Sequence, residues 1–185
     1  ARVLLHRSVE HGLPGLRDSS TWPAALSFLA DATITLDDRR CADVLLPEAE
    51  FFAGLNLMSS DFLAAFGSAH RALAGLTAVL GRPGVEDHFA AALEMDTRMG
   101  SILHVATTRA EWAAWLRRSR ASSARVDEQA EHARDLAERH GRVRVRRLLG
   151  EDGGHTPGLG PGPDGLTTRE LEVLRLIGRG RGNRE

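Results

Sequence analysis

Alanine-rich segments with helical spacing, cut by short turns roughly forty residues apart, constrain this chain more than any other feature. Apolar residues recur at three- and four-residue steps over Pro23–Leu36, Arg39–Ala49, Ser68–Leu80, Val85–Met99, Ile102–Arg118 and Arg125–His140, with a short arginine-rich piece from Arg142 to Leu149. Each reads as a helix, and no run of alternating strand residues competes with them, so the class is all-α. The segment from Ala69 to Gly100 reads as one antiparallel pair around Leu80-Gly81-Arg82-Pro83-Gly84, with Phe89, Ala92, Leu93 and Met99 available for the inner faces. Leu36-Asp37-Asp38 marks a similar turn 44 residues earlier, and Arg117 to Ser123 a third about 37 residues later. A helix pair cannot bury its apolar face alone, so this period predicts pairs stacked on their neighbours over residues 1–149.

That region resembles tetratricopeptide-like repeats. Leu80-Gly81-Arg82 followed by His88, Phe89, Ala92 and Leu93 approximates the family's turn, aromatic and small-residue spacing. The resemblance implies antiparallel helix pairs wound into a right-handed α-superhelix.

From residue 150 to 165 the composition changes to GEDGGHTPGLGPGPDG, with 7 glycines and 3 prolines in 16 residues. No core-forming residues and few backbone donors remain, so this reads as a flexible linker with a root-mean-square span of roughly 20 to 25 Å. A phosphate-binding loop is the sharper alternative, but neither a preceding strand nor a following lysine accompanies it.

Residues 166–185 follow as LTTRELEVLRLIGRGRGNRE. Thr167 with Glu170 makes a capping box, and Leu166 with Leu171 a hydrophobic staple. Leu171, Leu174 and Ile177 form one apolar face, and Gly180 is placed to end the helix. Gly182 can cap a second helix with Glu185 at its third position. This segment resembles the start of the LuxR-type helix-turn-helix domain, matching at Leu166, Thr167, Arg169, Glu170, Glu172, Val173, Leu174, Leu176, Ile177, Gly180, Asn183 and Glu185. Thr168 stands where proline is frequent, and Gly182 where serine or threonine is usual.

The resemblance implies sequence-specific DNA binding by a module whose recognition helix would lie beyond Glu185. Thr167, Arg169, Arg179, Arg181 and Arg184 are then candidates for backbone-phosphate contacts, with caps and ordinary solvated surface as the competing roles. Leu166, Glu170, Leu171, Leu174, Ile177, Gly180, Asn183 and Glu185 would be structural. Repeats, linker and terminal motif together resemble the C-terminal part of the large ATP-binding LuxR-family regulators. ATP enters only through that resemblance, at a site upstream of Ala1. Beginning at Ala1 and ending at Glu185 in mid-pattern, the chain reads as a segment of something longer.

Composition removes several alternatives. All 24 basic residues are arginine, so neither a lysine Schiff base nor a P-loop lysine can be here. Cys41 is the only cysteine, which excludes an internal disulfide and a multi-cysteine zinc site. The net charge of -1 averages 9 Arg against 14 acids in residues 1–116 and 15 Arg against 11 acids in residues 117–185. No apolar run is long enough for a membrane helix and no leader pattern opens the chain, so a cytoplasmic, membrane-free protein is expected.

The eight histidines include no pair three or four residues apart, so no helix presents a two-histidine metal face. Asp37–Asp38 and Glu86–Asp87 are adjacent pairs that do not suggest a carboxylate dyad. Cys41, beside Val44 and Leu45, reads as a buried thiol. Trp112 and Trp115 read as core of the third pair, with a ligand-holding repeat groove as the alternative. No catalytic constellation, metal site or cofactor site is expected in this segment. The expected partners are DNA, through the completed module, and a small-molecule or protein inducer on the repeats. The competing reading is a helical-repeat scaffold without DNA binding of its own.

Overall fold

The computed structural model describes residues 2–59, 63–140 and 143–150. The chain divides into two units, Ala1–Leu149 and Gly150–Glu185. The expected linker at 150–165 and motif at 166–185 lie outside the described residues, apart from Gly150.

The described chain is predominantly helical. It opens with α1 (Arg2–Arg7), a π-helical turn (Ser8–Gly12) and α2 (Leu13–Arg17), then runs through α3 (Trp22–Leu36) and α4 (Arg39–Glu50). Two short strands, β1 (Asn56–Met58) and β2 (Ala65–Ser68), precede α5 (Ala69–Leu80), α6 (Val85–Arg98), α7 (Ile102–Arg118), α8 (Ser123–His140) and α9 (Val143–Leu148). Among the described residues no helix is long and apolar enough to cross a membrane.

Local chemistry sets the turns. Pro23 occupies the first turn of α3, where its missing N–H costs no hydrogen bond. Asp37 ends that helix in the left-handed region at φ 49°, and Asp38 immediately caps α4 by accepting from the Cys41 N–H. The two-residue connection turns α4 back against α3. Gly81 (φ 67°) closes α5, and Glu86 and Asp87 in the first turn of α6 complement its dipole. Ser101 caps α7 through the His104 N–H.

Each pair packs on the next: α3 on α4, α4 on α5, α5 on α6, α6 on α7 and α7 on α8. The first helices of consecutive pairs also touch, α3 against α5. The main core joins Leu26, Leu45, Leu73 and Leu76 with Leu5 and Val9 of the N-terminal segment and Leu57 of β1. The α7–α8 seam is almost wholly alanine, with Ala106, Ala110 and Ala113 facing Ala130, Ala133 and Ala137. Side chains this small allow close approach of the two backbones. Phe89 and Ala92 are buried as expected, but Met99 is 37% exposed, because it caps α6 rather than extending its inner face.

One short hairpin, which no alternating run in the sequence announces, accompanies the helices. β1 and β2 pair antiparallel with Asn56 opposite Ser68 and Met58 opposite Ala65, interrupted by a bulge. Strands of three and four residues are too short to show alternation in sequence. This pair is held from outside itself. The Ser68 N–H donates to Asp96 Oδ1 (3.4 Å), the Ser68 hydroxyl to Met95 Sδ (3.1 Å), and His104 Nε2 bonds the Ala65 carbonyl at 3.1 Å. A Cβ on Gly67 (φ 89°) would sit 3.0 Å from His104 Nδ1, so both the backbone conformation and the tight contact favour glycine there. The N-terminal helices α1 and α2 were also not anticipated; at six and five residues they are too short to show a helical period.

Candidate functional site

A groove crosses the first helices of the three pairs. Helical spacing places Asp31, Ile34 and Thr35 on one face of α3, Gly75 and Ala78 on one face of α5, and Glu111, Ala114, Trp115 and Arg118 on one face of α7. An inner cavity of about 100 Å³ reaches Phe89 of α6 and Leu148 of α9. It shares Ile34, Thr35, Gly75, Ala78, Trp115 and Arg118 with an adjoining outer hollow of about 400 Å³ that extends to Asp37 and Ser119. Hollows of several hundred Å³ suit small ligands. Gly75 shapes the floor: a Cβ there would lie 2.2 Å from Ile34 Cδ1, so its absence lets Ile34 lie across α5.

Beneath the inner end lies a buried charge network. Arg71 is 8% exposed and directs Nη1 to Glu111 Oε1 (3.0 Å), with Asp31 Oδ1 3.7 Å away, while Nη2 donates to the Phe66 carbonyl at 2.9 Å. Burial works against the Arg71 charge, but the carboxylates of Glu111, Asp31 and Asp96 outweigh it and hold its pKa above the ordinary value. Asp96 is fully buried and accepts from the Thr108 hydroxyl at 2.7 Å. His104 is pushed below its usual pKa by burial and then by Arg71, so it stays neutral and donates Nε2–H to Ala65. The network therefore ties hairpin, α3, α5, α6 and α7 together at the groove's inner end.

The two tryptophans sit differently. Phe89 stacks on Trp112 with centroids 5.8 Å apart and planes at 9°, and packs more obliquely on Trp115 at 6.3 Å and 46°. Both pack against the buried cluster of Ala74, Val85 and Phe89. Positions three apart diverge by about 60° around a helix, so only Trp115 also faces the groove. Trp112 borders a separate depression between α6, α7 and α8, and its Nε1 is buried without a hydrogen-bond partner. The remaining candidates, Thr167, Arg169, Arg179, Arg181 and Arg184 with the helix-turn-helix structural set, lie outside the described residues.

Other titratable clusters are structural in geometry. Asp38 Oδ2 takes His6 Nε2 at 2.7 Å and Arg2 Nη1 at 3.2 Å while Oδ1 caps α4. The His6 hydrogen bond, then the Cys41 N–H, hold the Asp38 pKa at about 2. The Cys41 thiol is pushed up to about 11 by burial and then by Asp38. Burial and the neighbouring Asp38 charge thus keep the thiol protonated at neutral pH. Ligand atoms of His6, Asp38 and Cys41 lie within 4.8 Å of one another, so these residues could hold a metal only by giving up that thiol proton. Across α5 and α6, His70 and His88 share an Nδ1···Nδ1 hydrogen bond of 3.1 Å, and burial is the first cause that lowers both pKa values.

Sequence reasoning missed the Arg71 network and the histidine pair. Arg71 lies 40 residues from both Asp31 and Glu111, and His70 lies 18 from His88. Those separations exceed any single-helix spacing. The one available signal was an arginine inside an otherwise apolar helix face, Leu73, Ala74 and Leu76 being its neighbours.

No family model, curated protein or solved structure matches the chain.

Proposed function

We propose that this chain is the signal-relay portion of a cytoplasmic DNA-binding transcriptional regulator. In this reading stacked tetratricopeptide-like pairs form a right-handed superhelix that takes an inducer in the groove across α3, α5 and α7. A linker then leads to the first part of a LuxR-type helix-turn-helix. The observation that carries the proposal is the twelve-position match between Leu166 and Glu185. Support for the relay role comes from the three helix pairs, whose first helices share one groove. ATP binding would belong to an upstream part of such a regulator, since a chain without lysine supplies no P-loop.

A recognition helix is needed for sequence-specific reading of the major groove. Reading the native gene beyond the codon for Glu185 tests the proposal. A continuation of roughly thirty residues, with an apolar scaffold helix and a polar, basic recognition helix, is expected; a stop codon there would overturn it. Residues 1–185 alone are expected not to prefer an operator over scrambled DNA at moderate salt, since on this reading the recognition helix lies beyond Glu185.

The groove favours one second reading, a repeat scaffold that binds a ligand without reading DNA. That reading predicts ligand binding with no promoter preference in the native gene product.

A further inference from the structure

We infer that His6, Asp38 and Cys41 form a binding site for a divalent transition-metal ion of the zinc type, one that clips α1 to the first turn of α4. The site is independent of what fills the groove. His6 lies on α1, Asp38 is the N-cap of α4, and Cys41 lies in the first turn of that helix. Their nitrogen, oxygen and sulfur donor atoms all fall within 4.8 Å of one another. In a tetrahedral zinc site the ligand atoms stand roughly 3.3 to 3.6 Å apart. The His6–Asp38 separation of 2.7 Å therefore has to open by about 0.7 Å, a small movement for a side chain 33% exposed on a six-residue helix.

In the metal-free chain, protons occupy the place of the ion. Asp38 is ionised, so His6 donates Nε2–H to Oδ2, and the Cys41 thiol lies against the same carboxylate. An ion between them replaces both contacts. The thiol proton goes to solvent, the imidazole proton leaves Nε2, and metal–sulfur and metal–nitrogen bonds form with no change of oxidation state. Oδ1 stays with the Cys41 N–H at 3.1 Å, which orients the carboxylate and leaves Oδ2 as a single ligand. Asp38 and Cys41 are 4% and 2% exposed, so little water competes for them, while the exposed side of His6 leaves room for water as the fourth ligand. Imidazole and thiolate favour zinc or cobalt over magnesium and calcium, which take oxygen ligands. Arg2 places Nη1 3.2 Å from Oδ2 and opposes a cation there, but more than half of its side chain is exposed and free to turn away. Glu10, whose charge reaches Cys41, is engaged by Arg40 at 2.7 Å and stays outside the ligand set.

Cobalt(II) titrated into reduced, metal-free residues 1–185 and followed by absorption tests the site. Because Cys41 is the only cysteine, a sulfur-to-cobalt charge-transfer band reports on this position and on no histidine elsewhere in the chain. The band is expected to saturate at one equivalent together with the visible bands of tetrahedral cobalt, to fade when zinc is added, and to ignore excess magnesium. Cys41→Ser should abolish it. His6→Ala should weaken cobalt binding about tenfold or more, since loss of even an outer-shell partner costs that much. Arg2→Ala should tighten binding several-fold by removing the opposing cation, an effect that a purely structural role for Asp38 would not produce. Should Cys41→Ser fail to fold, the band of the intact chain, read beside the His6 and Arg2 variants, carries the test. No charge-transfer band at millimolar cobalt, or an affinity unchanged in His6→Ala or in Arg2→Ala, would overturn the site. Saturation at half an equivalent would overturn it too, since the thiolates would then come from two chains.

Discussion

Replacing Arg71 by methionine tests whether the buried network holds the helices together. Methionine preserves length and flexibility, so the change removes charge and hydrogen bonds with little loss of packing. Arg71 bonds Glu111 and the Phe66 carbonyl, and faces Asp31 and Asp96. Removing one partner of a buried ion pair costs about 3–5 kcal/mol, because the remaining charge is left desolvated. The orphaned Phe66 carbonyl adds about 1 kcal/mol. Urea unfolding followed by circular dichroism should show the loss, accompanied by a fall in Tm on the order of 10 °C.

Two controls make the reasoning specific. The triple variant Arg71→Met, Glu111→Gln, Asp31→Asn should recover about half of the loss, since fewer uncompensated charges stay buried. Arg71→Lys, which keeps the charge without the planar fork, should lose less than Arg71→Met. A loss below about 1 kcal/mol in Arg71→Met, matched by Arg71→Lys, would refute the claim that this guanidinium is the electrostatic anchor.

Other consequences are as direct. Gly67→Ala, which forces a side chain onto φ 89° and within 3.0 Å of His104, should cost about 1–3 kcal/mol in urea unfolding; Gly54→Ala, at φ 80° in open space, should cost less. Asp38 has a folded pKa of about 2 against 3.8 for the free group, so its contribution is fully present above pH 3.8 and disappears as pH falls towards 2. Acid unfolding of His6→Ala, which lacks the largest cause of that shift, should therefore be flatter through this window; an unchanged profile would contradict the assignment. Cys41, at a pKa of about 11 and 2% exposed, should react with iodoacetamide at pH 8 far more slowly in the native chain than in urea, and comparable rates would show that the thiol is neither buried nor protonated.

The helices from α3 onward were legible because their signals are local. Pro23, Asp38, Gly81 and Gly84 punctuate amphipathic runs, and the observed boundaries fall within two residues of those read from spacing. The hairpin was not legible, since Asn56–Met58 and Ala65–Ser68 draw their order from Asp96, Met95 and His104, 27 to 39 residues away. Trp115 could be placed near a groove from sequence, but the cavity depends on Gly75 admitting Ile34 across α5, which no pattern on either helix announces. For the same reason Trp112 and Trp115 look equivalent in sequence and are not in the fold. The charge network was hidden because each of its acids lies on a different helix from Arg71.

The proposed role of these helix pairs is to serve a DNA reader, and selection from random duplexes by the native gene product measures that most directly. The account predicts enrichment of one sequence at moderate salt, abolished when residues 166–185 are deleted and modulated when the groove is filled. No enrichment, or enrichment that survives the deletion, would contradict it.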